Sequence, residues 1–264
     1  MSKQKKLYLG TNTKMYKTAA MTEAYLSELC EYTGGLSRET LELFVIPSFT
    51  ALERAGRAVR DYLIRLGAQN MGWEDEGAFS GEVSPLMLKE VGAELVMIGH
   101  SERRHVLGET NEMENKKVLC ALRHGLIPLL CVGETAEEKS YGLSDEVLRT
   151  QLKLGLHGVT PEQATRLWIA YEPVWAIGAN GVPAQKEYAE EKHSVIRQTL
   201  HGLFGTEVGD RIPLLYGGSV NPDNAPNLIQ MENIDGLFIG RSAWQAEQFS
   251  RIIHTVLPLW QVKR

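Results

Sequence analysis

The chain has 264 residues, of which 43% are hydrophobic, 23% charged and 8% aromatic, too apolar for a disordered chain and too evenly charged for a membrane protein. Its length suits either one large barrel-like domain or two small ones. With 28 Lys and Arg against 33 Asp and Glu, the formal charge is −5 and the pI about 5.9, so no general basic field invites nucleic acid.

Eight short apolar runs follow, each leading into an amphipathic or charged stretch. Run 7–12 (LYLGTN) precedes a helical pattern at 19–32, and 41–47 (LELFVIP) precedes one at 49–58. Run 62–70 (YLIRLGAQN) precedes a pattern at 84–92, and 95–100 (LVMIGH) one at 111–123. Run 126–133 (LIPLLCVG) leads to 136–155, and 167–173 (LWIAYEP) to 184–203. The last two, 212–218 (IPLLYGG) and 234–240 (IDGLFIG), lead to 222–230 and 243–257. Most runs are nearly continuous in Val, Ile, Leu and Phe, as parallel strands buried on both faces should be.

Eight βα units share the chain at about 33 residues each, a comfortable length for such a unit. Even units with no polar linker predict an α/β fold of one kind: a single (β/α)8 TIM barrel spanning 1–264. An open doubly wound sheet would place a glycine fingerprint after the first strand, and LYLGTNTKMYK carries none. Cys30, Cys120 and Cys131 form no disulfide framework, and an odd count fits a reducing compartment. The first residues lack the apolar segment of a signal peptide, and no apolar run is long enough to span a bilayer. The expectation is a cytoplasmic enzyme or binding protein with neither a nucleic-acid nor a membrane partner.

In such a barrel the site lies at the C-terminal ends of the strands. Those ends carry Asn12 and Lys14; Gln69 and Asn70; His100 followed by Ser101, Glu102, Arg103 and Arg104; Cys131 and Glu134; Glu172; Gly217, Gly218 and Ser219; and Gly240, Arg241 and Ser242. The turns after the last two strands contain glycine, which lets backbone N–H groups approach an anion, and these turns are the usual phosphate site of the fold. Taken alone, each glycine could simply make a tight turn. Glu172 could cap the next helix, but the Pro-Val-Trp-Ala-Ile-Gly that follows suits a water-excluding lid better than a first helical turn. Singly, His100 reads as a core histidine and Lys14 as a surface charge; at one mouth they read as a site. His100 is the one strong metal ligand there, so no metal is expected. A carboxylate base, an imidazole donor and a cation suit proton abstraction beside a carbonyl.

Long motifs then carry a resemblance. Asn12-Thr13-Lys14-Met15, Gly67-Ala68-Gln69-Asn70, Gly77-Ala78-Phe79-Ser80-Gly81-Glu82 and Gly99-His100-Ser101-Glu102-Arg103-Arg104 come first. Cys131-Val132-Gly133-Glu134-Thr135, Ala170-Tyr171-Glu172-Pro173-Val174-Trp175-Ala176-Ile177-Gly178 and Tyr216-Gly217-Gly218-Ser219-Val220 follow in order. Along essentially its whole length the sequence resembles the triosephosphate isomerase family. The resemblance implies Glu172 as catalytic base, His100 as neutral electrophile, Lys14 as positive charge near the substrate oxygen and phosphate, and Asn12 as orienting group. It implies Ser101 and Glu102 as supports, residues 174–182 as the lid, and Gly178, Ser219, Gly240 and Arg241 as donors of phosphate-holding N–H groups. It implies a small phosphorylated sugar as substrate, no organic cofactor or metal, and a homodimer in which loop 71–83 enters the neighbour's pocket.

The departures from the family pattern are specific. Thr13 stands where the family usually has Trp, Tyr16 where it has Asn, and Ser80 where it has Thr. The lid, ending Ala179-Asn180-Gly181-Val182-Pro183, reads about two residues short, and the last phosphate turn is Gly240-Arg241-Ser242-Ala243-Trp244 in place of one with two adjacent glycines. That turn resembles the family branch acting on L-erythrulose 1-phosphate. The expectation is therefore an isomerase for that tetrulose phosphate, with triosephosphate isomerase proper as the alternative. Two readings of other kinds stay open: a phosphate-ligand binding protein on a barrel scaffold, and a lyase using Lys14 as a Schiff base.

Overall fold

In the computed structural model, residues 6–178 and 181–263 are described. Eight strands lie at the eight apolar runs: β1 (Leu7–Asn12), β2 (Leu41–Ile46), β3 (Ile64–Ala68), β4 (Leu95–Ile98), β5 (Ile127–Val132), β6 (Trp168–Tyr171), β7 (Leu214–Tyr216) and β8 (Gly236–Ile239). All pair in parallel, and β1 pairs with both β2 and β8, which closes the barrel. Strand residues such as Leu9, Val96 and Ile169 share one buried cluster with helix residues, which explains why the runs read as continuous apolar segments.

Two layers of core result. Inside the barrel, Phe44, Leu95, Met97, Leu129, Trp168, Leu215 and Phe238 pack together. Gly10 makes room there, since a Cβ at that position would lie 2.3 Å from the Phe44 ring. Between strands and helices, Leu7, Leu9, Leu26, Leu29, Val96, Leu130, Ile169, Ile196 and Phe249 belong to the larger cluster.

Several helices begin at a capping side chain that accepts from the first turn. Thr18 accepts from Met21 N at the start of Ala19–Thr33, Ser84 from Met87 N before Pro85–Glu90, and Thr110 from Met113 N before Asn111–Arg123. Several expected helices differ in detail. The pattern at 136–155 is two helices, Ala136–Ser140 and Ser144–Gly155, separated by a turn in which Gly142 has φ +73°. The pattern at 49–58 opens with a 3-10 turn at Phe49–Ala51. Short helices at Ser101–His105, Pro161–Ala164 and Thr206–Gly209 have no counterpart in the sequence reading. The last helix is Ala246–Lys263, longer than expected and running through Pro258, with Phe249, Ile253 and Trp260 buried along it. Among the described residues, no helix is long and apolar enough to cross a membrane.

Candidate active site

Strand alternation decides which side chains reach the mouth, because successive residues face opposite sides of a strand. On β6, Trp168 and Ala170 point into the barrel interior, and the next residue of that series is Glu172. On β1, Tyr8 packs against the same interior cluster, and the series runs through Gly10 to Asn12. On β5 it ends in Cys131. His100 arrives differently: it is the N-cap of Ser101–His105, and its Nδ1 accepts the Glu102 N–H over 3.2 Å. An N–H can only donate, so Nδ1 carries the lone pair and the proton of the neutral ring sits on Nε2. That Nε2 lies 3.5 Å from Glu172 Oε1.

His100 and Glu172 are 4% and 3% exposed, so both work in a largely dry site. Glu172 Oε2 accepts the Ser101 N–H over a long 3.3 Å. Two glycines permit this placement of Glu172. A Cβ at Gly133 would sit 1.9 Å from the Glu172 carbonyl oxygen, and one at Gly217 would sit 2.9 Å from Glu172 Cγ. Cys131 is fully buried beside the carboxylate; burial first, and the Glu172 charge second, push its thiol well above the usual range. It is a neutral neighbour rather than a nucleophile.

Lys14 is the one non-glycine residue with positive φ among the described residues, at +51°. Such a conformation persists only where the surroundings impose it. Here Asn12 Oδ1 accepts the Lys14 N–H over 2.8 Å, while Gln69 Nε2 donates to Lys14 O over 2.7 Å and to Asn12 Oδ1 over 3.0 Å. The Lys14 ammonium meets Glu102 Oε1 at 2.6 Å. Glu102 thus serves two partners, the cation through its side chain and the imidazole through its backbone. Asn12, Lys14, Glu102, His100, Ser101 and Glu172 form one connected set.

Behind this set, Arg104 ties two strand ends together. Its Nε donates to Gly99 O over 2.8 Å and its Nη2 to Cys131 O over 2.9 Å, and Glu114 Oε2 lies 2.5 Å away, its carboxyl pushed up to about 8 by burial. Glu134, fully buried, accepts from Trp175 Nε1 at 2.8 Å, Tyr188 OH at 2.9 Å and Tyr171 OH at 3.1 Å. Those bonds anchor the 3-10 turn Val174–Ala176 that opens the expected lid. The sequence placed Gln69, Arg104 and Glu134 at the mouth but assigned them no role.

The four expected phosphate positions are less uniform. Ser219 follows β7, and Gly240 caps the 3-10 turn Arg241–Ala243. Among the described residues, none accepts a hydrogen bond from the backbone N–H of Ser219, Gly240 or Arg241. Gly178 has φ +93° and open space above it. The Arg241 side chain is exposed. Residues 179 and 180 of the expected lid lie outside the described residues. Thr13 is fully buried, so its small volume does not widen the open mouth, while Ser80 is exposed on loop 71–83.

Among the described residues, one group of side chains could offer several ligands to a metal. Asp75, Cys120 and His124 place ligand atoms within 4.8 Å of one another, but Arg123 Nη2 already donates to Asp75 Oδ1 at 2.8 Å and to Cys120 Sγ at 3.4 Å. A guanidinium answers that charge.

The triosephosphate isomerase family model matches residues 7–256. The L-erythrulose-1-phosphate isomerase of Rhizobium etli is 47% identical over 252 residues, covering 95% of this chain and 92% of that protein. The triosephosphate isomerase of Dictyoglomus thermophilum is 44% identical over 245 residues, covering 93% of this chain and 97% of that protein. The crystal structure of triosephosphate isomerase from Bartonella henselae superposes with a TM-score of 0.84 at 35% identity, over 95% of this chain and 98% of that one. Barrel and full-length similarity agree: the chain belongs to the triosephosphate isomerase family, a family of isomerases.

Proposed function

We propose that the protein isomerises a short ketose phosphate through an enediol(ate), with L-erythrulose 1-phosphate as its preferred substrate and D-erythrulose 4-phosphate as product. Glu172 removes the proton from the carbon beside the carbonyl and returns it to the neighbouring carbon. His100, holding its proton on Nε2, donates to the substrate oxygens as their charge changes. Lys14 supplies positive charge at the same oxygens, and Asn12 orients the substrate. The N–H groups of Gly178, Ser219, Gly240 and Arg241 hold the phosphate, whose remote binding energy closes the lid and aligns the reacting carbons.

One observation carries this reading: a buried carboxylate faces Nε2 of a buried imidazole across 3.5 Å. A phosphate-binding protein has no need of that pair. Schiff-base chemistry needs a free amine, and Lys14 is engaged with Glu102. The Glu172→Gln variant tests the assignment through kcat.

Dihydroxyacetone phosphate and L-erythrulose 1-phosphate share a phosphomethyl ketone, and the tetrulose adds a hydroxymethyl at the carbon that loses its proton. The same residues serve both. The tetrulose reading is supported by the L-erythrulose-1-phosphate isomerases among the relatives, at 43–47% identity. The second reading, triosephosphate isomerase proper, is favoured by the 44% identical Dictyoglomus relative of that name.

The homodimer belongs to the same proposal. Phe79, Leu86 and Met87 are 45%, 51% and 56% exposed. Apolar side chains grouped on and around loop 71–83 suit contact with a second copy. Light scattering behind a sizing column reads the mass directly; a monomer at micromolar concentration contradicts the dimer.

A further inference from the structure

We propose that Trp244 is a positioning residue for the isomerisation, coupling the turn after β8 to Asn12 and Lys14; this rests on the proposed roles of those two residues. The β1–β8 ladder ends at Thr11 opposite Ile239. The next carbonyl along β1, that of Asn12, has passed the end of the ladder. It accepts instead from Trp244 Nε1 over 2.9 Å. An indole from the turn that follows β8 therefore extends the pairing by one bond, at the residue whose side chain belongs to the site.

Other contacts hold the same joint. Tyr25 OH donates to Ala243 O over 2.8 Å, fixing the turn from the first helix. The ring of Tyr16 lies against Trp244, with centroids 4.5 Å apart and planes at 38°. Tyr16 and the Gly240–Trp244 turn are two of the departures from the family pattern, and they touch. From Asn12 the linkage continues through its Oδ1 to the Lys14 N–H at 2.8 Å. The turn offers Gly240 and Arg241 N–H groups to an anion, and Lys14 offers its ammonium to a carbonyl oxygen. Trp244 fixes the distance between those two anchors.

A substrate held at both ends reacts well only if the two anchors match its length, and a displacement near 1 Å can cost on the order of 10²-fold. The phosphate-to-carbonyl span is the same in the triose and the tetrulose. Loss of the indole bond should thus slow both substrates alike and leave their ratio unchanged, which separates this inference from the choice of substrate.

Trp244→Phe removes the N–H and keeps a ring. We expect kcat to fall about three- to tenfold on both L-erythrulose 1-phosphate and dihydroxyacetone phosphate, the range one hydrogen bond is worth. The inhibition constant of inorganic phosphate should stay within about twofold, since the turn itself is intact. Tyr16 is 67% exposed, so Tyr16→Ala should fold and lower kcat through the same joint. The double variant Tyr16→Ala/Trp244→Phe should be no slower than Trp244→Phe alone. An unchanged kcat in Trp244→Phe overturns the proposal. So does a loss of phosphate binding equal to the loss of turnover, which would make Trp244 a support of the turn alone, and so do fully additive effects. Lys14→Met is measured alongside. If it keeps wild-type turnover, the role of Lys14 falls and the coupling falls with it. If Lys14→Met is inactive and Trp244→Phe unimpaired, the coupling falls alone.

Discussion

His100 Nε2 stands 3.5 Å from Glu172 Oε1, and neither side chain is more than 5% exposed. The separation is too long for a strong hydrogen bond and short enough to place both groups on the same substrate atoms. Glu172→Gln keeps the size of the side chain and removes the base. General base catalysis is worth ~10²–10⁴-fold, so kcat should fall by at least that lower bound while KM changes little. Steady-state kinetics of the folded variant measures it; near-wild-type turnover would refute the role of Glu172.

The Glu102 N–H donating to His100 Nδ1 fixes the tautomer. Nitrogen NMR of protein labelled in histidine should show Nδ1 of His100 as an unprotonated nitrogen and Nε2 as the protonated one. A proton on Nδ1 would contradict both the hydrogen bond and the donation proposed from Nε2.

Much of the barrel could be read from its residues, because a strand buried on both faces announces itself as a run of Val, Ile, Leu and Phe. All eight runs became strands, and the motif residues Asn12, Lys14, His100 and Glu172 came together at one end. The split at Gly142 was hidden inside a continuous amphipathic pattern. The five-residue helix after His100 is too short to show a period. Gln69 illustrates what a linear sequence conceals: its work is done on Lys14, 55 positions away, and depends on β3 delivering its amide to a left-handed turn after β1. Arg104 and Glu134 act in the same way, on carbonyls and hydroxyls supplied by other units of the barrel.

Glu109 gives the fold a defined acid sensitivity. Burial opposes its charge, but hydrogen bonds from Arg103 and Lys117 outweigh that and hold its carboxyl below the usual value of 4.5. A depressed folded-state value stabilises the protein above the unfolded value, and that stabilisation is lost as pH falls through the folded one. Glu109→Gln leaves Lys117 buried without its charge partner, which costs about 3–5 kcal/mol near neutral pH. Urea unfolding from pH 7 to pH 3 should show the gap between wild type and variant narrowing below pH 4.5. A gap that stays constant would exclude this linkage.

The three cysteines are free and buried. Burial raises the Cys30 thiol to about 11, raises Cys120 and holds Cys131 well above its usual range. A thiolate is the reactive form. A disulfide reagent at pH 8 should therefore leave the native protein untouched over minutes and titrate all three thiols in denaturant. Rapid reaction of Cys131 in the native protein would mean that the site beside Glu172 is open to solvent.

The central claim concerns what the site turns over, and the direct measurement is the initial rate of the wild-type protein on L-erythrulose 1-phosphate and dihydroxyacetone phosphate under identical conditions. Differences of one hydroxymethyl seldom supply more than ~1–3 kcal/mol of discrimination, so both substrates should react, with the higher kcat/KM for the tetrulose. A ratio favouring the triose by about a hundredfold would overturn the substrate assignment, and failure to isomerise either one would overturn the proposed chemistry itself.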